Sequence, residues 1–280
     1  MGHVAVVTDS TVDLAPAHTD ALGLRVVPMT VTFGDESYIS RITITDERFY
    51  ERLRASPALP TTSQPVPAWF EEAYADAADE DADAVVSIHV SGGLSGTVET
   101  ARKVAADAPL PVEVIDSRQV SGGLALAVLA AAEAAAAGAG LAETARVAAD
   151  VAARARFFFT VDTLDYLRRG GRLSGAQAVV GNVLRVKPIL TIRDGEVEVL
   201  ERTRTWSRAT DRLVELCHTE VGDAEADVVL VHGLAAERAS AVGVALDDRL
   251  SVARRVDAVI GPVVGTHCGP GAIGVAVVPH

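Results

Sequence analysis

The chain is poor in cysteine, in basic charge and in long apolar runs, and each shortage excludes something. Two cysteines, Cys217 and Cys268, cannot build a disulfide framework, so a reducing compartment is the natural setting. The 25 basic residues stand against 38 acidic ones, a net charge of −13, which repels nucleic acid and anionic membrane surfaces unless a local patch overrides it. The longest weakly polar stretch, "GGLALAVLAAAEAAAAGAG", is mostly alanine and carries Glu133, so it reads as an alanine-rich helix and not a membrane span. The opening "MGHVAVVTDS" lacks the basic flank of a signal peptide, and Val6 stands where myristoylation wants Ser or Thr. These features predict a cytoplasmic protein without stable membrane insertion and without nucleic acid as a partner. Repeats, a polar tail and a long linker are also lacking.

What is present is an ordinary globular composition, 49% apolar and 22% charged, over 280 residues, a length that suits two closely packed domains. Strand-like runs "HVAVVT", "RVVPMTVTF", "ADAVVSIHV" and "PVEVID" alternate with the helical stretches "PVPAWFEEAYADAA", "TVETARKVAADA" and "QVSGGLALAVLAAAEAAAAG". Nearly continuous Val/Ile strands alternating with helices predict α/β architecture, with a parallel sheet covered on both faces. After "LAETARVAADVAARA" the pattern changes to α+β: a strand, short helix and glycine stop in "RFFFTVDTLDYLRRGG", then a hairpin turning at Asp194-Gly195. Two helices around the strand "ADVVLVHGL" follow, and the end reads as two strands around a glycine-rich turn. The predicted domains are 1–156 and 157–280.

Several segments carry candidate chemistry. Asp9, Ser10, Thr11 and Asp13 follow the first strand, where open α/β sheets place ligands; Thr11 or Asp13 would alternatively cap a helix starting near Pro16. Thr61, Thr62, Ser63 and Gln64 precede a helix, and three hydroxyls in a row exceed what capping needs. "SGGLSGT", Ser91 to Thr97, joins a strand to a helix, where free backbone N–H groups suit an anion. It lacks the second glycine of G-x-S-x-G, so holding an anion is favoured over attack by Ser95. "GPGAIG", Gly269 to Gly274, matches the bare dinucleotide fingerprint, but no helix and no acidic residue follow it. His267 has no metal-spaced partners, and Cys268 beside it reads as a small buried thiol. Arg168, Arg169, Arg172, Arg185 and Lys187 crowd into one basic region of an acidic chain; the first three, around two glycines, suit a phosphate- or partner-facing patch, or alternatively a solvated helix C-terminus.

In order and spacing, "VTDSTVDL", "TTSQP", "SGGLSGT", "VIDS", "DTLDYLRRGGRLSGA", "RVKPILTIRDGEV" and "GPVVGTHCGPGAIGVAVV" resemble the DegV family of bacterial fatty-acid-binding proteins. The resemblance runs from residue 4 to about residue 278. It implies two α/β domains with a long-chain fatty acid in a tunnel near their interface, bound non-covalently and presented to a separate ATP-dependent fatty acid kinase. The kinase would make acyl-phosphate for phospholipid synthesis, with no catalytic residue, metal or cofactor in this chain. Thr62 and Ser95 would hold the carboxylate, with Ser63 and Gly96 beside them and His267 supporting the network. Arg169, Arg172 and Arg204 would meet the kinase or the acyl-phosphate. Two positions depart from the family pattern: Val66 where TSQPS ends in serine, and Gly92 at the second serine of S-S-x-L-S-G-T. Competing readings are an acyl-transfer enzyme using Ser95 or Cys268 with His267, and a phosphosugar- or nucleotide-binding enzyme using the sheet-end loops and arginines.

Overall fold

A computed structural model describes residues 2–173 and 186–280. Arg185 and the end of the "RRGGRLSGA" motif lie outside the described residues. Strands β1 (Val4–Asp9), β2 (Arg25–Val27), β6 (Ala84–His89) and β7 (Val112–Asp116) form a parallel sheet of order β2-β1-β6-β7. Every residue of β1 and β6 is buried, as continuous apolar strands covered on both faces require. Helices Pro67–Asp79 and Thr97–Ala105 cover one face; Gly122–Ala136 and Leu141–Arg154 cover the other.

A small antiparallel sheet, β4 (Glu36–Ile39), β3 (Thr30–Phe33) and β5 (Thr61–Ser63), sits beside helix Asp46–Ala55. The third sheet runs β10 (Glu196–Thr203), β9 (Lys187–Arg193), β8 (Arg156–Thr160), β13 (Ile273–Pro279), β11 (Glu225–His232) and β12 (Ser251–Val259). Its pairs are antiparallel except β11–β12. Helices Trp206–Val221 and Ala236–Arg249 pack on one face of it, and the alanine-rich helix packs on the other.

The alanine-rich helix is therefore shared by the parallel sheet and the third sheet, which explains its composition. Gly122–Leu129 are all buried, so it has no polar face to present. Small residues let it approach closely: a Cβ on Gly122 would lie 3.0 Å from the Cβ of Ala276 on β13. The main hydrophobic cluster runs through this layer and joins Val86 and Ile88 of the parallel sheet to Val229, Val231 and Ala276 of the third.

Two sequence readings need correction, and the capping alternatives fall away. "RVVPMTVTF" is two strands in different sheets, broken at Pro28, whose missing N–H cannot continue a ladder. The last segment is not two strands around a turn: helix Pro262–Cys268 stands between β12 and β13. Pro262 occupies its first turn, where proline is preorganised, and the apolar Val263 and Val264 are buried. Thr61–Ser63 do not cap the following helix. They form edge strand β5, and helix Pro67–Asp79 starts after Val66 without a side-chain cap. Thr11 and Asp13 likewise leave helix Pro16–Ala21 uncapped.

Candidate functional site

A cavity of about 330 Å³ opens where the loops after β1 and β6 meet β5, β8, β10 and helix Pro262–Cys268. Phe157 and Phe159 supply its aromatic wall. Alternation along β8 sends both to one face, stacked 5.3 Å apart, while Phe158 enters the opposite core under helix Trp206–Val221. Val120, Leu167, Val197, Ile260 and Val264 extend the apolar lining.

The polar end gathers residues far apart in the chain. His267 Nε2 and Thr62 Oγ1 lie 3.0 Å apart, a hydrogen bond across 205 positions. Ser63, Ser95 and Gly96 line the same cavity. Ser95 Oγ shares a hydrogen bond of 2.8 Å with Thr97 Oγ1. Helix Thr97–Ala105 has Gly96 at its N-cap position and no side-chain cap, so its first N–H groups face the loop without competition from a capping oxygen. Gln64, which the sequence reading did not single out as a ligand residue, also lines the cavity and donates from Nε2 to Thr100 Oγ1 at 2.8 Å.

His267 carries the clearest electrostatic signal. Burial, followed by the charge of Arg172, pulls its pKa down to about 4, so the ring is neutral at neutral pH. Its Nδ1 is buried without a hydrogen-bond partner among the described residues. Gly170 makes this placement possible, because a Cβ there would collide with Nδ1 and lie 3.0 Å from the Tyr166 carbonyl.

Among the described residues, the members of the predicted basic patch do not share one surface. Arg172 turns inward and lines the cavity, donating to the carbonyls of Leu94 at 3.3 Å and Gly170 at 2.7 Å. Arg168 pairs with Asp165, and Lys187 with Asp162. Arg169 and Arg204 are exposed and do not line the cavity.

Cys268 touches the cavity, but burial pushes its thiol up to about 12, which keeps it protonated. The glycine fingerprint leads into β13 and not a helix. Among the described residues no group of three or more His, Cys, Asp or Glu could hold a metal, and no helix is long and apolar enough to cross a membrane.

Two further polar clusters lie behind the cavity. Asp13 accepts from Ser121 Oγ at 2.6 Å and from the Gly261 N–H at 2.8 Å, and burial pushes it up to about 7 against the pull of Arg41. Asp9 and His89 form a sealed pair at 3.1 Å, linked onward to Ser87 and Tyr74.

The DegV family profile, described as a family of uncharacterised proteins, matches residues 3–280. A DegV domain-containing protein of Streptomyces coelicolor is 41% identical over 98% of each chain. A DegV family protein from Thermus thermophilus, whose structure is described for its fatty acid binding, is similar with a TM-score of 0.92 and 33% identity over 100% of each chain. DegV of Bacillus subtilis, described as a fatty acid binding protein, is similar with a TM-score of 0.90 and 30% identity, again over 100% of each chain. With the profile matching residues 3–280, which include every described element and all the cavity residues, the chain belongs to the DegV family.

Proposed function

We propose that this protein binds one long-chain fatty acid non-covalently and presents its carboxylate to a separate ATP-dependent fatty acid kinase. The observation that carries this reading is the amphipathic cavity: apolar walls close on a polar end lined by Ser95 and by neutral His267, which bonds to Thr62 and whose Nδ1 has no partner among the described residues. Hydroxyl and imidazole donors and the uncapped helix start suit a carboxylate, and Arg172 supplies the compensating positive charge. A volume of about 330 Å³ lies within the usual range for ligand pockets, roughly 300–1,000 Å³. Affinity comes mainly from the tail. Each buried methylene contributes about 0.8 kcal/mol, so a chain of about fifteen gains on the order of 12 kcal/mol before ordering costs. The headgroup contacts chiefly offset desolvation and fix orientation.

The kinase half of the reading rests on chemistry. Acyl-phosphate formation needs ATP, and the sequence holds no G-x-x-x-x-G-K-[ST] loop. Exposed Arg169 and Arg204 are the residues we assign to the kinase-facing surface. The acyl-transfer alternative fares worse on geometry. Ser95 bonds to Thr97, His267 bonds to Thr62, and the Cys268 thiol stays protonated, so neither nucleophile is paired with a base.

Native mass spectrometry of freshly purified protein, followed by solvent extraction, tests the reading. One releasable fatty acid per chain is the expected result; an empty protein that also refuses added fatty acids overturns it, and a covalent adduct redirects it to Ser95 or Cys268. Within the reading, Thr62→Ala and Ser95→Ala each weaken binding by about 1 kcal/mol. The same changes slow acyl-phosphate formation by the kinase further, because orientation is lost as well as affinity. An unchanged kinase rate in both variants sinks the headgroup assignment.

A further inference from the structure

A loop and a hairpin from opposite halves of the chain meet at the cavity. Loop 91–96 supplies Leu94, Ser95 and Gly96 to the wall, and β10 supplies Val197. Ser91 holds both sides and is only 1% exposed. Its carbonyl accepts the N–H groups of Leu94 at 2.9 Å and Ser95 at 3.1 Å, which shapes the loop. Its Oγ accepts from the Gly93 N–H at 3.1 Å and donates to the Gly195 carbonyl at 2.7 Å, across 104 positions. Gly195 sits at the hairpin tip with φ 82°, next to Asp194 at φ 52°.

The two backbones touch without spare room. A Cβ on Gly93 would lie 2.8 Å from the Gly195 carbonyl oxygen, and one on Gly195 would lie 2.5 Å from Ser91 Oγ. Outside this contact Arg118 and Asp194 form an ion pair of 3.2 Å, 60% and 87% exposed, which adds little. Arg172 ties the loop a second time through the Leu94 carbonyl.

We infer that Ser91 is a positioning residue whose hydroxyl locks the headgroup loop to the hairpin tip, and that this lock governs how fast the ligand exchanges with the cavity. The inference rests on the lipid-carrier reading. The Ser91–Gly195 bond couples the loop directly to the hairpin tip, and Arg172 holds the loop from a third segment of the chain. A neutral hydrogen bond between two turns opens far more readily than the packed sheets behind it. Ligand that leaves past this wall needs that local opening and not global unfolding. The lock therefore acts on the rates of uptake and release, while tail burial fixes the affinity.

A reversible cross-link tests this. The Cβ of a residue at 195 would lie 3.7 Å from the Ser91 Cβ, inside the range of about 3.5–4.5 Å that disulfides adopt. In Ser91→Cys/Gly195→Cys the native Cys217 and Cys268 do not compete, because both are buried and burial pushes both thiols up. Dissociation of bound cis-parinaric acid is followed by fluorescence in the oxidised and reduced forms of the same variant.

Oxidation is expected to slow release by about tenfold or more, and Ser91→Ala to speed it by about tenfold with a smaller change in affinity. A variant that binds the lipid and releases it at one rate in both redox states overturns the lock alone. A protein that takes up no fatty acid in any form overturns the carrier reading and the lock with it.

Discussion

Two buried histidines sit close to the cavity end of the molecule and have opposite surroundings. His89 closes β6 with both ring nitrogens engaged: Nδ1 to Asp9 at 3.1 Å and Nε2 to Ser87 at 2.7 Å. His267 lies in the last turn of a short helix with one nitrogen on Thr62 and the other without a partner among the described residues. Asp9, His89 and Ser87 follow the atom order of a catalytic triad, yet all three are fully buried, Ser87 is engaged by Tyr74, and none lines the cavity. Residue types alone would choose the wrong histidine. Unspent hydrogen-bonding capacity beside open volume is the better guide.

The largest effect should come from breaking the sealed pair. Burial works to raise the Asp9 carboxylate, but bonds from His89, Thr11 and the Val90 N–H outweigh it and hold the group below its ordinary value. Asp9→Ala leaves His89 and Val90 without their acceptor and should cost about 3–5 kcal/mol of stability in urea denaturation. Fatty acid affinity of the fraction still folded should be nearly unchanged. A loss below about 1 kcal/mol would show that His89 is not a structural member of the core.

Gly170→Ala is the matching change at the other histidine and should act mainly on binding. The new methyl group collides with Nδ1 and pushes the ring off Thr62, so affinity should fall by about tenfold, as for one lost hydrogen bond to a charged headgroup. Isothermal titration with a long-chain fatty acid measures it. Wild-type affinity in a folded Gly170→Ala protein would remove His267 from the headgroup site.

Local features were legible in the sequence, and long-range ones were not. The Asp194-Gly195 turn was readable because a two-residue hairpin with positive φ at both positions demands that dipeptide. Helix Trp206–Val221 was readable from its spacing, and Thr205 caps it at Arg208 N. Helix Pro262–Cys268 was hidden because glycines at 261, 265 and 269 imitate a turn. Gly265 is in fact a helix position with no space for a side chain, since a Cβ would lie 2.7 Å from the Phe49 ring. Thr62 and Ser95 were singled out by motif resemblance. Nothing local announces that Thr62 meets His267, or that Arg172 faces inward while Arg169 faces out, because those placements depend on how three sheets dock.

The smallest effect is the most discriminating between the two rings. In the free protein His267 has a folded pKa near 4 against an unfolded value near 6.5, because its cationic form is desolvated and repelled by Arg172. Above pH of about 6.5 both states leave the ring neutral and nothing is lost. As pH falls from there the unfolded chain binds a proton that the folded protein refuses, so this ring's share of stability fades down to about pH 4. A carboxylate placed beside the ring reverses the charge balance, since an anion favours the imidazolium that Arg172 disfavours. Saturating fatty acid should therefore raise the His267 pKa in an NMR titration, and linkage then requires affinity to rise as pH falls toward the new value. The His89 resonances should not respond to ligand, because Asp9 and Ser87 already fill its hydrogen-bonding positions and it does not line the ligand cavity. Equal responses from both rings would mean that ligand acts through the fold as a whole and that no carboxylate sits at His267.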